Sequence, residues 1–214
     1  MDSTAFGKCE ISIITYNNIE LLRKCIKAIE LFTEYPYSLS VIDNGSTDGT
    51  IEWLDTKGIP YDHSNENEGI ASAHNRAIKF TDGLRCIMHN DVIVTRGWLF
   101  PLVELMKRYK RLWLVSPYGI ETTKKNYYTP EMVDEMMKKF GSPYAGKISR
   151  DYYGACWLYD DRIVETIGLF DEQFKYWYDD SDYTTRIRMA GIQTAGSGDS
   201  YIVHPYSSTT PQFA

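Results

Sequence analysis

The stretch CEISIITYNNIELLRKCIKAI, residues 9–29, changes its apolar rhythm halfway along. Cys9 to Thr15 is a short run rich in isoleucine, the pattern of a buried strand. After Tyr16-Asn17-Asn18, apolar residues recur at Leu22, Ile26 and Ile29, three or four apart, which marks one face of a helix. Asn17 followed by Glu20 predicts a capping box at the start of that helix. A strand that feeds directly into an amphipathic helix is the repeating unit of an α/β domain with a parallel sheet.

The same alternation repeats downstream. Ser38–Ile42 reads as a second strand, closed by the turn Asp43-Asn44-Gly45-Ser46 and followed by a short helix from Asp48 to Leu54. Ile59–Asp62 is a candidate third strand, and the polar loop SNENEG leads into a helix over Ile70–Phe80. Arg85–Met88 makes a fourth strand that stops at His89-Asn90-Asp91, and Val92–Thr95 stays extended. Pro101 sits in the first turn of a helix ending near Arg111, and Leu112–Ser116 is a further strand. Residues 117–150 are turn-rich apart from a helix opened by Thr129-Pro130-Glu131 and running to about Phe140. Then come a strand over Tyr152–Tyr159, a helix over Asp161–Ile167 closed by Gly168, a helix from Ser181 to Gly191 and a strand over Tyr201–Val203. No repeat, linker or low-complexity tract divides the chain. Residues 1–214 therefore read as a single α/β domain, with a mostly parallel central sheet and helices on both faces.

Composition narrows the class. With 43% hydrophobic and 24% charged residues the chain has the balance of a packed soluble domain. A net charge of −6 lacks the basic surface that sequence-independent nucleic-acid binding requires, so no nucleic-acid partner is expected. Cys9, Cys25, Cys86 and Cys156 form no CxxC pair, and three of them sit in apolar patterns, as thiols of a reducing compartment do. No signal peptide opens the sequence and no apolar run reaches membrane-spanning length. A cytoplasmic protein without membrane insertion is expected.

In open parallel sheets, ligands bind beyond the carboxyl ends of the strands. Three polar clusters fall there: Thr15-Tyr16-Asn17, Asp43-Asn44-Gly45-Ser46 and His89-Asn90-Asp91. There is no GxGxxG after the first strand and no GxxxxGK[ST] anywhere, which removes the main support for dinucleotide and P-loop sites. A fourth cluster lies far downstream. FKYWYDDSDYTTR, residues 174–186, crowds Asp179, Asp180 and Asp182 behind three aromatics. A solvated helix start capped by Asp179, Asp180 or Ser181 accounts for it, and so does a site in which one carboxylate does chemistry.

Taken in order, ISIITYNNIELLRKCIKAI, VIDNGSTDGT, NEGIASAHNRAI, MHNDV and FDEQFKYWYDDSDYTTRIRMAG resemble an inverting family 2 glycosyltransferase of the GT-A (Rossmann-like) fold, from Ile11 to His204. Within that family the pattern is similar to the rhamnosyltransferase-like branch and to the amino-terminal domain of enzymes that glycosylate chlorovirus capsids. The resemblance implies transfer of a rhamnose or glucose-like sugar from a nucleoside-diphosphate donor, UDP-linked, to a hydroxyl of a glycan or glycoprotein. It divides the chain into a nucleotide-binding half, about 1–116, and an acceptor-side half, about 117–214. It implies that Asp43 accepts hydrogen bonds from uracil or ribose, that Thr15, Asn17 and Asn90 line the same pocket, and that Arg76 or His74 faces base or diphosphate.

The family's metal motif, Asp-x-Asp, reads His89-Asn90-Asp91 here, a departure at the first position. Asp91 keeps the last carboxylate, His89 stands where the first would be, and His204 matches a late histidine that contacts metal or diphosphate. An imidazole suits manganese better than magnesium, so a divalent cofactor with that preference is expected. Asp180 matches the general base, supported by Asp179 and Asp182, with Arg186 four residues beyond the latter. Trp177 and Tyr178 offer a platform for an acceptor sugar, and Trp157 packs near the donor sugar. Each residue also has a plainer use: Asp43 as turn former, Asn17 as cap, Arg76 as surface cation, His89 as strand end, Trp157 as core. Two other functions stand beside the leading one. A catalytically silent nucleotide-sugar or glycan-binding domain draws support from the altered metal motif. A sugar-phosphate nucleotidyltransferase needs a Gly-rich basic loop where TYNNIE stands.

Overall fold

Residues 7–80, 83–122, 128–149 and 154–205 are described in a computed structural model. In chain order the elements are β1 (Cys9–Thr15), α1 (Ile19–Phe32), β2 (Tyr37–Asp43), α2 (Thr50–Lys57), β3 (Tyr61–His63), α3 (Ile70–Phe80), β4 (Leu84–His89) and β5 (Ile93–Val94). They continue with α4 (Leu99–Arg108), β6 (Leu112–Thr122), α5 (Pro130–Phe140), β7 (Ile148–Ser149), β8 (Cys156–Asp160), α6 (Arg162–Ile167), α7 (Asp179–Met189) and β9 (Gln193–Pro205). The strands form one sheet in the order β3-β2-β1-β4-β8-β6-β9-β5, with β7 paired to β9. β1, β2, β3, β4, β6 and β9 run one way, and β5, β7 and β8 run against them.

Alternation along β1 explains why helices cover both faces. Cys9, Ile11 and Ile13 point to the side where Leu22, Cys25, Ile26 and Ile29 of α1, Leu54 of α2 and Leu102 and Val103 of α4 are buried. Ile14, Ile42 and Ile87 point to the other side, against Ala73, Ala77 and Ile78 of α3, Ile163 of α6 and Tyr183 and Ile187 of α7. Each of these larger side chains, fully buried, contributes about 1.5–3 kcal/mol relative to exposure.

β2 and β3 lie on one side of β1, and β4 lies on the other. The chain thus reverses its winding between β1 and β4, and the crevice at the carboxyl ends of those two strands is where an open α/β sheet takes its ligand. Register puts the polar clusters level with one another there: Thr15 opposite Asp43, and Ile14 opposite His89.

Several local expectations are corrected. Asn17 does not cap α1. Asn17 and Asn18 both take left-handed backbone angles (φ 53 and 60), which turns the Asn17 side chain outward to accept the Thr47 amide at 2.9 Å. The amide of Ile19 is capped from the turn after β2 by the Asp48 carboxylate at 2.9 Å, while Glu20 pairs with Arg23. A charged acceptor is the stronger cap. Likewise α7 begins at Asp179, behind a left-handed Tyr178 that contributes no side-chain cap. The expected pair Asp182–Arg186 is present, Nε to Oδ2 at 2.9 Å. The irregular stretch holds more structure than its pattern showed, because Tyr118–Thr122 pairs in parallel with Tyr201–Pro205 after a register shift. Of the strand expected over Tyr152–Tyr159, the first two residues lie outside the described residues, and β8 begins at Cys156.

Candidate active site

The side-chain amide of Asn90 bridges the crevice between β1 and β4. Asn90 Nδ2 donates to Thr15 Oγ1 at 2.8 Å and to the Asn17 carbonyl at 3.2 Å, so Thr15, Asn17 and Asn90 form a single wall. Asn17 is tied onward, its amide donating to Ser46 Oγ at 2.7 Å.

Asp43, expected to accept from uracil or ribose, is wholly buried. Its Oδ2 accepts from the Gly45 and Ser46 amides and from His63 Nδ1 at 2.8 Å, whereas Oδ1 is buried with no partner among the described residues. Arg76 is also more engaged than a free anion-binding cation. Its guanidinium donates to Asp62 Oδ2 at 2.6 Å, to the Asp43 carbonyl at 2.7 Å and to Asn44 Oδ1 at 3.4 Å, which locks β2 to β3 beneath the pocket. Asn44, read from the sequence only as a member of its turn cluster, is a hub. It bonds Asn67 and the Gly69 carbonyl and accepts from Glu68, holding the SNENEG loop so close over Gly45 that a Cβ there would lie 2.6 Å from the Glu66 backbone.

His89, Asp91 and His204 come together from β4, the turn after it and β9. Their ligand atoms all lie within 4.8 Å of one another, and His204 Nε2 stands 3.1 Å from Asp91 Oδ1. Atoms bound to a common first-row ion at about 2.1 Å are separated by up to about 4.2 Å, so a small inward motion suffices for a metal. Burial pushes the His89 imidazole below its usual pKa, with His204 adding to the effect and Asp91 and Asp180 opposing it. A neutral ring keeps the lone pair that ligation requires. The donor set fits a transition ion with a taste for nitrogen.

α7 brings the acidic cluster to the same rim, close enough for Asp180 to act on His89. Asp180 is partly exposed, and its Oδ1 accepts from the Ser181 amide at 2.6 Å. Asp179 faces inward. Burial first, and then the neighbouring Asp180, push its carboxyl up to about 6. The segment before α7 is docked on the start of α3, with Ile70 donating to the Lys175 carbonyl at 2.8 Å. It leaves Tyr176, Trp177 and Tyr178 between 40% and 71% exposed.

Trp157 is corrected to a core residue. It is 1% exposed and stacks with His74, Phe170 and Tyr183 at centroid distances of 5.5, 5.7 and 6.3 Å. His74, expected near base or diphosphate, sits in the same stack with its Nε2 3.9 Å from Asp179 Oδ2. Burial, then His89, lower its pKa to about 3, so it is neutral.

That burial predicts a pH effect. The fold depresses the pKa of His74 from 6.5 to about 3, so its contribution to stability is present above about pH 6.5 and is lost as pH falls toward 3. Asp179 acts in the opposite sense, since a raised carboxyl contributes stability that is lost as pH rises from about 4 through about 6. His74→Phe keeps a ring in the stack and removes the proton acceptor. Between about pH 7 and about pH 4.5 the variant is expected to lose roughly 2–3 kcal/mol less stability than wild type, measured by denaturant unfolding. Parallel losses in both proteins would contradict this.

A sequence profile described as Glycosyl transferase family 2 matches residues 10–168. Glycosyltransferase AglE from Haloferax volcanii is 29% identical over 97 residues, which is 42% of this chain and 32% of that protein. Among solved structures, the mannosyltransferase PcManGT from Pyrobaculum calidifontis, in complex with GDP-Man and Mn2+, is 21% identical with a TM-score of 0.69. The match covers 97% of this chain and 59% of that one. S. aureus TarS 1-349 in complex with UDP is 14% identical with a TM-score of 0.71, over 94% of this chain and 61% of that one. At these identities the likeness shows the fold, and this chain spans about three fifths of either solved chain and a third of AglE.

Proposed function

The chain belongs to glycosyl transferase family 2, and from that premise we propose that it transfers a rhamnose or glucose-like sugar from a uridine diphosphate donor to a glycan or glycoprotein hydroxyl, with inversion. The observation that carries the proposal is the meeting, on one rim of the sheet, of the Asp180 carboxylate with the His89–Asp91–His204 cluster. In a single displacement the acceptor oxygen bonds to the anomeric carbon as its proton passes to the Asp180 carboxylate. The bond from that carbon to the diphosphate breaks, and its electron pair leaves with the phosphate oxygen. His89, Asp91 and His204 would hold a divalent ion, manganese in preference to magnesium, and such an ion supplies positive charge to the leaving diphosphate. The GDP-Man and Mn2+ of PcManGT and the UDP of TarS support a nucleotide-sugar ligand of this kind.

Thr15, Asn17 and Asn90 wall the nucleotide pocket, and Arg76 braces it from behind. Asp43 Oδ1 is buried without a partner among the described residues, which is costly for an acceptor, and a nucleotide N–H or O–H that reached it would satisfy it. Trp177, half exposed beside the base, suits the face of an acceptor sugar. The four cysteines are free and buried, which supports a reducing, cytoplasmic setting; no helix among the described residues is long and apolar enough to cross a membrane.

Uridine diphosphate with manganese is expected to raise the melting temperature, and Asp43→Ala to remove most of that shift. An undiminished shift in the variant would move the pocket elsewhere. The function itself is tested by release of free nucleoside diphosphate from candidate nucleotide-sugars, with and without metal. Binding without release, in the presence of a range of glycan acceptors, would favour a silent binding domain, the reading that the histidine at position 89 supports.

A further inference from the structure

We infer that Gly154 is a positioning residue for the base: the side chain it lacks leaves the space in which the Asp180 carboxylate lies. The inference rests on Asp180 being that base. Gly154 stands in the turn before β8, and its backbone is outside the left-handed region, so the turn itself does not call for glycine. A Cβ built there would lie 2.9 Å from Asp180 Oδ2, 3.8 Å from Cγ and 3.9 Å from the aspartate's own Cβ. Gly45 and Gly69 differ in kind. Their Cβ atoms would strike the backbones of Glu66 and Lys175 at 2.6 and 2.8 Å, and their φ angles of +85 and +98 strain any side chain. Those two serve architecture. At Gly154 the obstacle is the tip of one side chain, which rotates away at little cost to the fold but takes the reacting oxygens with it.

The carboxylate is held from its other side as well. Oδ1 accepts from the Ser181 amide at 2.6 Å and from its hydroxyl at 3.2 Å. The group is therefore pinched between the first turn of α7 and the turn before β8. The next residue extends the device, because the Ala155 carbonyl accepts the His89 amide at 3.0 Å. Two consecutive residues thus set the base at one end of the reaction and the metal cluster at the other. A displacement that needs both ends aligned is sensitive to such spacing, since a misplacement of about 1 Å costs on the order of 100-fold in rate.

The test is Gly154→Ala, assayed for transfer against donor concentration beside Asp180→Asn. The expected kcat falls about 10- to 100-fold. The KM for donor, the nucleotide-induced shift in melting temperature and the melting temperature of the free protein stay close to wild type. Any loss of melting temperature caused by the alanine is also measured in an Asp180→Ala background, where the clash has no partner and the loss is expected to vanish. Wild-type kcat in Gly154→Ala, with Asp180→Asn inactive, overturns the inference alone. So does a thermal loss that persists in the Asp180→Ala background, which assigns the glycine to architecture. An active Asp180→Asn brings down both this inference and the assignment of the base.

Discussion

Asp180→Asn is expected to bind donor as wild type does and to transfer sugar about two to four orders of magnitude more slowly, the usual worth of a general base. The substitution keeps shape and hydrogen-bonding capacity but removes the site that takes the acceptor's proton. The competing account of the cluster as a helix start predicts no such loss, because asparagine favours a helix start as well as aspartate does. The structure weakens that account further. The residue before α7 is a left-handed Tyr178 with no side-chain cap, and Asp180 Oδ1 accepts from the amide and hydroxyl of the adjacent Ser181. Asp179→Asn is the internal control. Its carboxyl is buried and held up to about 6, so the amide relieves a buried charge above that pH, and the variant should be more stable near pH 7 with a milder loss of rate. Near wild-type transfer by Asp180→Asn to a verified acceptor would leave the aspartates as a helix start and nothing more.

How much of this was legible in the chain depends on whether the cause was local. α3 runs over Ile70–Phe80 as its periodicity requires, and β1 over Cys9–Thr15, because burial against a sheet writes itself into consecutive residues. The carboxyl ends of the strands were legible for the same reason: the apolar run stops where the crevice begins. What escaped is non-local. The cap of α1 comes from Asp48, 29 residues from the amide it serves. The long β6–β9 pairing joins segments some eighty residues apart through a register shift. Trp157 and His74 are buried by one another and by Phe170 and Tyr183, rings from separate parts of the chain, so neither residue's neighbours in sequence announce it. Gly154 fell inside the strand expected over Tyr152–Tyr159, and its approach to Asp180 joins separate parts of the chain.

Asp91→Asn is expected to reduce manganese-dependent nucleotide binding by more than about tenfold and transfer by more still, with little change in fold. The basis is geometry first. Asp91 is buried beside His204, and its ligand atom and those of His89 and His204 all lie within 4.8 Å of one another. Loss of residues that merely support metal ligands commonly costs 10- to 100-fold, so loss of the one anionic ligand should cost at least that. His89 then decides which ion is served. Magnesium demands oxygen donors and holds its waters, whereas manganese accepts imidazole, so wild type should bind uridine diphosphate more tightly with manganese than with magnesium at equal concentration. His89→Asp restores the paired carboxylates of the family's motif and should narrow that gap by improving magnesium's support. Titration calorimetry reads both effects. Equal support by the two ions in wild type would remove His89 from the coordination sphere, and undiminished manganese-dependent binding by Asp91→Asn would remove the cluster as a metal site altogether.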